Sequence, residues 1–227
     1  RRRPATLGNN VGKKNAPTRK SSRGLRGRSH SRQVRPIVVL AVEGETEKKY
    51  LNALNQFRYG HAFHFDFCRT RSKSSLKNLI DGIRDKVKRE KGEGISGSWI
   101  VCDVDKNETH VAILNKWLAE KSEFHHGVVL SNPCIEAWFV YHCVDACSSW
   151  TASSVLTELE RIWEWGAYKK GMEVPDRLIE KTDAACSRVN RRRASFAEGA
   201  TAWHEAPWTD MPEFIAWLDQ VVPRRSE

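Results

Sequence analysis

The chain has 227 residues, 40% of them hydrophobic, which is enough for one α/β domain with a core, or for a domain and a subdomain. No apolar run approaches the roughly 18 residues of a membrane-spanning helix, and the basic, polar beginning has no apolar segment behind it, so a soluble, cytoplasmic protein is expected. The formal net charge is +10, yet 12 of the 38 Lys and Arg fall in residues 1–35, which contain no Asp or Glu, and the remainder carries a net −2.

That first segment, RRRPATLGNNVGKKNAPTRKSSRGLRGRSHSRQVR, has too little to bury to offset its ordering entropy, and it is expected to be a disordered basic tail. A block of one sign suits an arm that contacts polyphosphate, which makes nucleic acid the expected partner. A tail that serves solubility alone is the competing reading.

Pro36 to Val42 is an apolar run of strand length, and it stops on Glu43, Gly44, Glu45 and Glu47. Tyr50, Leu51, Leu54 and Phe57 then recur at helical spacing, predicting strand, turn and a helix from Glu45 to about Phe57. Glu45 and Glu47, in the first turn of that helix, read as solvated charges or partners of its dipole. Ala62 to Phe67 alternates with period two. Ser74 to Lys91 places Leu76, Leu79, Ile80, Ile83 and Val87 on one helical face. Trp99 to Val104 is a second short buried strand, carrying Asp103 and Asp105 at its end. Val111, Leu114, Trp117 and Leu118 form another helical stripe, and Gly127 to Leu130 is a further strand, leading to Ser131 and Asn132. Strands separated by helix-length segments predict a mainly parallel sheet flanked by helices.

In such a sheet the carboxyl ends of the strands open onto a common crevice, so Glu43, Asp103, Asp105 and the Ser131–Asn132 step are expected on one rim. Asp103 and Asp105, two apart in an extended chain, point to the same side. Carboxylates gathered this way repel unless something positive joins them, and hard oxygen ligands suit Mg²⁺ or Mn²⁺. Asn132 reads as a helix N-cap, Pro133 as a first-turn residue, and Glu136 as an acid one turn into that helix. There it either faces the site or compensates the dipole.

Beyond residue 145 a helical C-terminal extension, 146–227, is expected to pack on the 36–145 core. Val155, Leu159, Ile162 and Trp163 form a core stripe, and the chain ends in an amphipathic helix from about Met211 to Val221. Tyr168 to Gly171 reads as a turn whose Lys169 and Lys170 either reach a phosphate or are solvated. Arg188 to Arg193 holds four arginines at a helix end, with Arg191 and Arg192 as candidate phosphate contacts. The cysteines, Cys68, Cys102, Cys134, Cys143, Cys147 and Cys186, form no CxxC pair and read as reduced thiols. Cys143 and Cys147 beside His142 lack the second ligand pair of a zinc site.

A strand ending in Glu–Gly followed by one ending in Asp-x-Asp resembles the Toprim domain. With the basic leader, VEGETEKKY, CDVDKN, SNPCIEAWFVYH and YKKGMEVPDRLIEKTDAACSRV, the chain resembles the RloB-like family, Toprim-related proteins of bacterial anti-phage and restriction loci, over roughly residues 20–190. The resemblance implies a Toprim-like α/β fold and a metal-dependent nuclease. It makes Glu43 a metal ligand or general acid/base, Asp103 and Asp105 ligands of Mg²⁺ or Mn²⁺, and Glu136 a further site acid. Gly44, Ser131 and Asn132 would position phosphate or the metal's waters, and a separately encoded ATPase of AAA or ABC type would be a partner. A binding module without turnover is the alternative.

Overall fold

In a computed structural model the structure describes residues 34–69, 75–104, 108–145 and 150–222. The basic segment 1–33, Asp105 and Cys147 lie outside the described residues. The strands are β1 (Ile37–Val42), β2 (His64–Phe67), β3 (Ile95–Asp103), β4 (His125–Asn132) and β5 (Trp208–Thr209). They form one sheet in the order β2-β1-β3-β4-β5, in which all pairs are parallel except β4 with β5. The helices are α1 (Glu45–Ala53), α2 (Leu76–Arg89), α3 (Glu108–Leu118), α4 (Glu136–Cys143), α5 (Ala152–Ile162), α6 (Asp176–Glu180), α7 (Thr182–Arg193) and α8 (Met211–Val221). The helix expected to run to Phe57 changes at Ala53 into a π-helical turn, Leu54–Arg58.

Side chains on a strand alternate between faces, so β1 feeds two cores. Val38, Leu40 and Val42 join α1, α4, α5, α7 and α8, whereas Val39 and Ala41 join Leu79, Ile80 and Ile83 of α2 and Leu114 and Trp117 of α3. This double burial explains why β1 reads as a continuous apolar run. Its β-branched residues suit a strand, and replacing a buried Leu40 with Ala would cost about 2–5 kcal/mol. Among the described residues, two helices begin on side-chain caps. Ser75 accepts the Asn78 N–H at the start of α2, and Thr151 and Ser154 form a reciprocal capping box at α5.

Val34–Glu227 forms one compact unit, with residues 36–145 and the segment beyond them in the same body. The reason is physical. The C-terminal third supplies β5 to the sheet and buries Leu159, Leu178, Val189, Phe214 and Leu218 in the same core as β1. Asp210 locks that junction, accepting the Leu130 N–H on Oδ2 at 3.0 Å while its own N–H donates to the Leu130 carbonyl.

Candidate functional site

Glu43 follows β1 directly, and its Oε2 accepts the backbone N–H of Asp103, the last residue of β3, at 2.8 Å. The strands are hydrogen-bonded neighbours with Val42 opposite Val101, so their carboxyl ends lie side by side. Asp103 Oδ1 accepts the N–H of Ile135 at 2.8 Å. Ile135 is the N-cap position of α4, so an acid from the neighbouring strand answers the amides at that helix end.

Asn132 and Pro133 therefore do not play the parts the sequence suggests. Asn132 ends β4, its peptide bond to Pro133 is cis, and α4 starts only at Glu136. The Asn132 amide instead donates to the carbonyls of Ala202, at 2.7 Å, and Glu205, at 3.0 Å, tethering the loop before β5. Ser131 is 1% exposed and shares a 3.2 Å hydrogen bond with the Thr209 hydroxyl. Both side chains join β4 to the C-terminal segment, and neither is bonded to the acids.

Glu136 is fully buried. Its Oε1 accepts the Tyr168 hydroxyl at 3.0 Å and lies 3.4 Å from Lys170 Nζ, while Oε2 is buried without a hydrogen bond. Burial opposes the charge on Lys170, but Glu136 and the neighbouring groups outweigh it and raise the ammonium pKa. The loop that presents Tyr168 and Lys170 is fixed to α1, because the Gly171 N–H donates to Thr46 Oγ1 at 3.0 Å and Lys49 pairs with Glu173 at 2.7 Å. Gly171 has φ +70°, a conformation that favours glycine. Lys169 is exposed beside it.

Glu47 corrects the sequence reading. Glu45 is exposed as expected, but Glu47, one helical turn beyond Glu43, is 5% exposed. Its carboxylate folds back over Gly44, the exposed N-cap residue of α1, where an added Cβ would stand 3.1 Å from Glu47 Oε2. Burial, with repulsion from Glu43 and Glu136, pushes its pKa up to about 6. Asp103 goes further, to about 8, through burial first and then Glu47, Glu43 and Glu136, against the opposing Ile135 N–H. Four acids, Glu43, Glu47, Asp103 and Glu136, are thus electrostatically coupled. The i, i+4 spacing of Glu43 and Glu47 was the available sequence signal.

Glu43 and Asp103 border a crevice of about 10 Å³, also lined by His110 and Trp203, with room for about one water-sized particle. Neither His110 nor Trp203 stands out in the sequence as a site residue. Arg191 and Arg192 lie elsewhere. Arg191 is exposed and pairs with Asp145 at 3.4 Å, and Arg192 stacks over Phe196 at 4.6 Å. Their neighbour Arg188 donates to the Tyr141 and His142 carbonyls, at the end of α4 away from Glu136, roughly 10 Å along the helix.

The donors fit a hard divalent cation. They are carboxylate oxygens of Glu43 and Asp103, and Asp103, with its pKa pushed up to about 8, ionises at neutral pH only with a positive partner. Among the described residues, no three His, Cys, Asp or Glu side chains already close on one point as a ligand cage. Nor is any helix among them long and apolar enough to cross a membrane.

Fold and site together define an α/β protein with a coupled acid cluster at the carboxyl edge of a mainly parallel sheet. A family profile described as RloB-like protein matches residues 38–218, and the chain belongs to the RloB-like family. No curated protein and no solved structure matches it.

Proposed function

We propose that this protein is a metal-dependent nuclease with a Toprim-like site, hydrolysing phosphodiesters of DNA or RNA, tRNA included, in bacterial anti-phage defence. The observation that carries the reading is the coupled cluster, with Asp103 raised to about 8 and Glu136 Oε2 left without a partner. Buried like charges oppose folding unless protons or cations answer them, so such a cluster points to a ligand.

Glu43 and Asp103, with Glu47 behind them, would hold Mg²⁺ or Mn²⁺, as would Asp105, which lies outside the described residues. When bound, such an ion supplies charge stabilisation for the phosphoryl oxygens. Tyr168 and Lys170 hold Glu136 through Oε1, leaving Oε2 to take the proton of the attacking water. Lys170 also brings a positive charge to attract the phosphate. Affinity for the strand rests largely on residues 1–35, because the rest of the chain is net negative. The ATPase is the expected regulatory partner.

The test is cleavage of plasmid, single-stranded DNA and tRNA by the purified protein with Mg²⁺ or Mn²⁺, with and without EDTA. Asp103→Asn and Glu136→Gln should each lower the rate by about a hundredfold or more. Binding without cleavage under every condition would replace this reading with that of a non-catalytic module in a defence complex.

A further inference from the structure

A cleft of about 440 Å³ opens between the later halves of α2 and α3, at the amino-terminal end of β4. Small-molecule sites typically span about 300–1,000 Å³. Its floor is aromatic. The His126 ring lies parallel to Trp117, with centroids 4.7 Å apart and planes within 2°, and Phe124 flanks His126 at 5.4 Å. Trp117 is 1% exposed, so the partly exposed His126 presents the flat surface. Its Nδ1 is buried without a hydrogen bond, while the Trp117 carbonyl favours the protonated ring and partly offsets the effect of burial. Burial lowers the imidazole pKa, which favours the uncharged ring.

Around this floor stand the exposed side chains of Lys88, Lys91 and Lys121, with Glu123 as the opposing charge. Arg84 and Glu120, also at the cleft, pair with each other. Basic residues near the ends of α2 and α3 have an ordinary use in answering the last helix carbonyls. That use calls for neither a stacked aromatic floor, nor a cavity of this size, nor an orphaned ring nitrogen.

We propose that this cleft binds a free nucleotide, its base stacked on His126 beside Phe124 and its phosphate held by Lys88, Lys91 and Lys121. Surfaces that bind strands repeat aromatic platforms along a basic groove, whereas one stacked pair in an open cleft suits a single unit. The occupant is not the substrate of the acid cluster. His125 begins β4 at the cleft and Asn132 ends it beside the acids' edge of the sheet, about 23 Å away at the rise of a strand. The cleft is therefore a site separate from the acid cluster, and its existence does not depend on the nuclease reading.

Titration calorimetry of the full chain in EDTA, with AMP and ATP, tests this without involving metal at the acid cluster. Both nucleotides should bind saturably at one site, with adenosine and inorganic phosphate each weaker than AMP by about tenfold or more. Lys88→Glu/Lys121→Glu should weaken AMP by about tenfold or more at an unchanged melting temperature, and Lys88→Gln/Lys121→Gln should do so in smaller measure. Absence of saturable nucleotide binding, or AMP binding indifferent to both double variants, would overturn the proposal. So would inorganic phosphate binding as tightly as AMP, or a ten-residue oligothymidylate binding tighter than AMP and lost in the same variants, which would mark a strand site.

Discussion

Two groups of acids in this protein sit in opposite electrostatic settings. At the C-terminal seam each carboxylate meets an arginine. Asp210 Oδ1 accepts Arg193 at 2.6 Å and Trp208 Nε1 at 2.8 Å, and Arg58 bridges Asp183 and Asp219 at 2.8 and 3.2 Å. At the strand ends, Glu43, Glu47, Asp103 and Glu136 crowd one another, and Lys170 reaches Glu136 from the side. The same residue type closes the fold in one place and strains it in the other. An acid's contribution depends on what answers its charge, and in the strand-end group Glu136 Oε2 is buried without a hydrogen bond.

The contrast is most exposed to test at Asp210. Asp210→Ala removes the acceptor of Leu130, Trp208 and Arg193 together and leaves a largely buried guanidinium short of a partner, so it should cost about 3–5 kcal/mol, or roughly 10 °C in melting temperature. A loss under about 1 kcal/mol in urea melts would show that the seam does not depend on its ion pairs.

Asp103→Asn should do the reverse. Asp103 titrates at 3.8 when unfolded and about 8 when folded, so its contribution to stability is fully present below pH 3.8 and is lost as pH rises through about 8. The Asn variant, which keeps the acceptor for the Ile135 N–H, should match the metal-free parent near pH 4 and exceed it at pH 8. Mg²⁺ should raise the parent's melting temperature more at pH 8 than at pH 6 and barely move the variant. A variant less stable than the parent at pH 8 in EDTA would mean that Asp103 is a structural acid.

Tyr168→Phe deletes one hydrogen bond to the buried Glu136 carboxylate, a loss of about 1.5–3 kcal/mol. Its effect on cleavage should exceed its effect on folding, since it releases the group proposed to take the proton. Equal urea midpoints for variant and parent would show that Lys170 alone holds Glu136. Gly44→Ala should be smallest, about 1 kcal/mol or less. Gly44 has φ −147°, extended backbone that alanine adopts freely, and the new methyl meets only Glu47 Oε2, a side-chain atom able to shift. A large loss of stability would place Glu47 under tighter restraint than its neighbours suggest.

Much of the sheet was legible because β1, β3 and β4 are apolar runs bounded by polar residues, and α2, α5 and α8 carry clear stripes. β5 was not legible. Two residues have no periodicity, and Trp208 and Thr209 become a strand only because β4 offers Ser131 and Asn132 as antiparallel partners. Glu43 and Asp103 could be placed from strand ends alone. Glu47 was misread because its i, i+4 spacing from Glu43 shows only that the two acids share a helical face, whereas its burial is imposed by elements distant in sequence. The same holds for Asn132, whose partners lie 70 and 73 residues further on.

The late position of β5 also bears on synthesis. Until Trp208 and Thr209 leave the ribosome, Ser131 and Asn132 at the end of β4 lack their antiparallel partners. An uncovered strand edge is a template for pairing with another chain. Nascent or prematurely terminated chains that stop before Trp208 should therefore be the sticky species, drawn to chaperones and to one another.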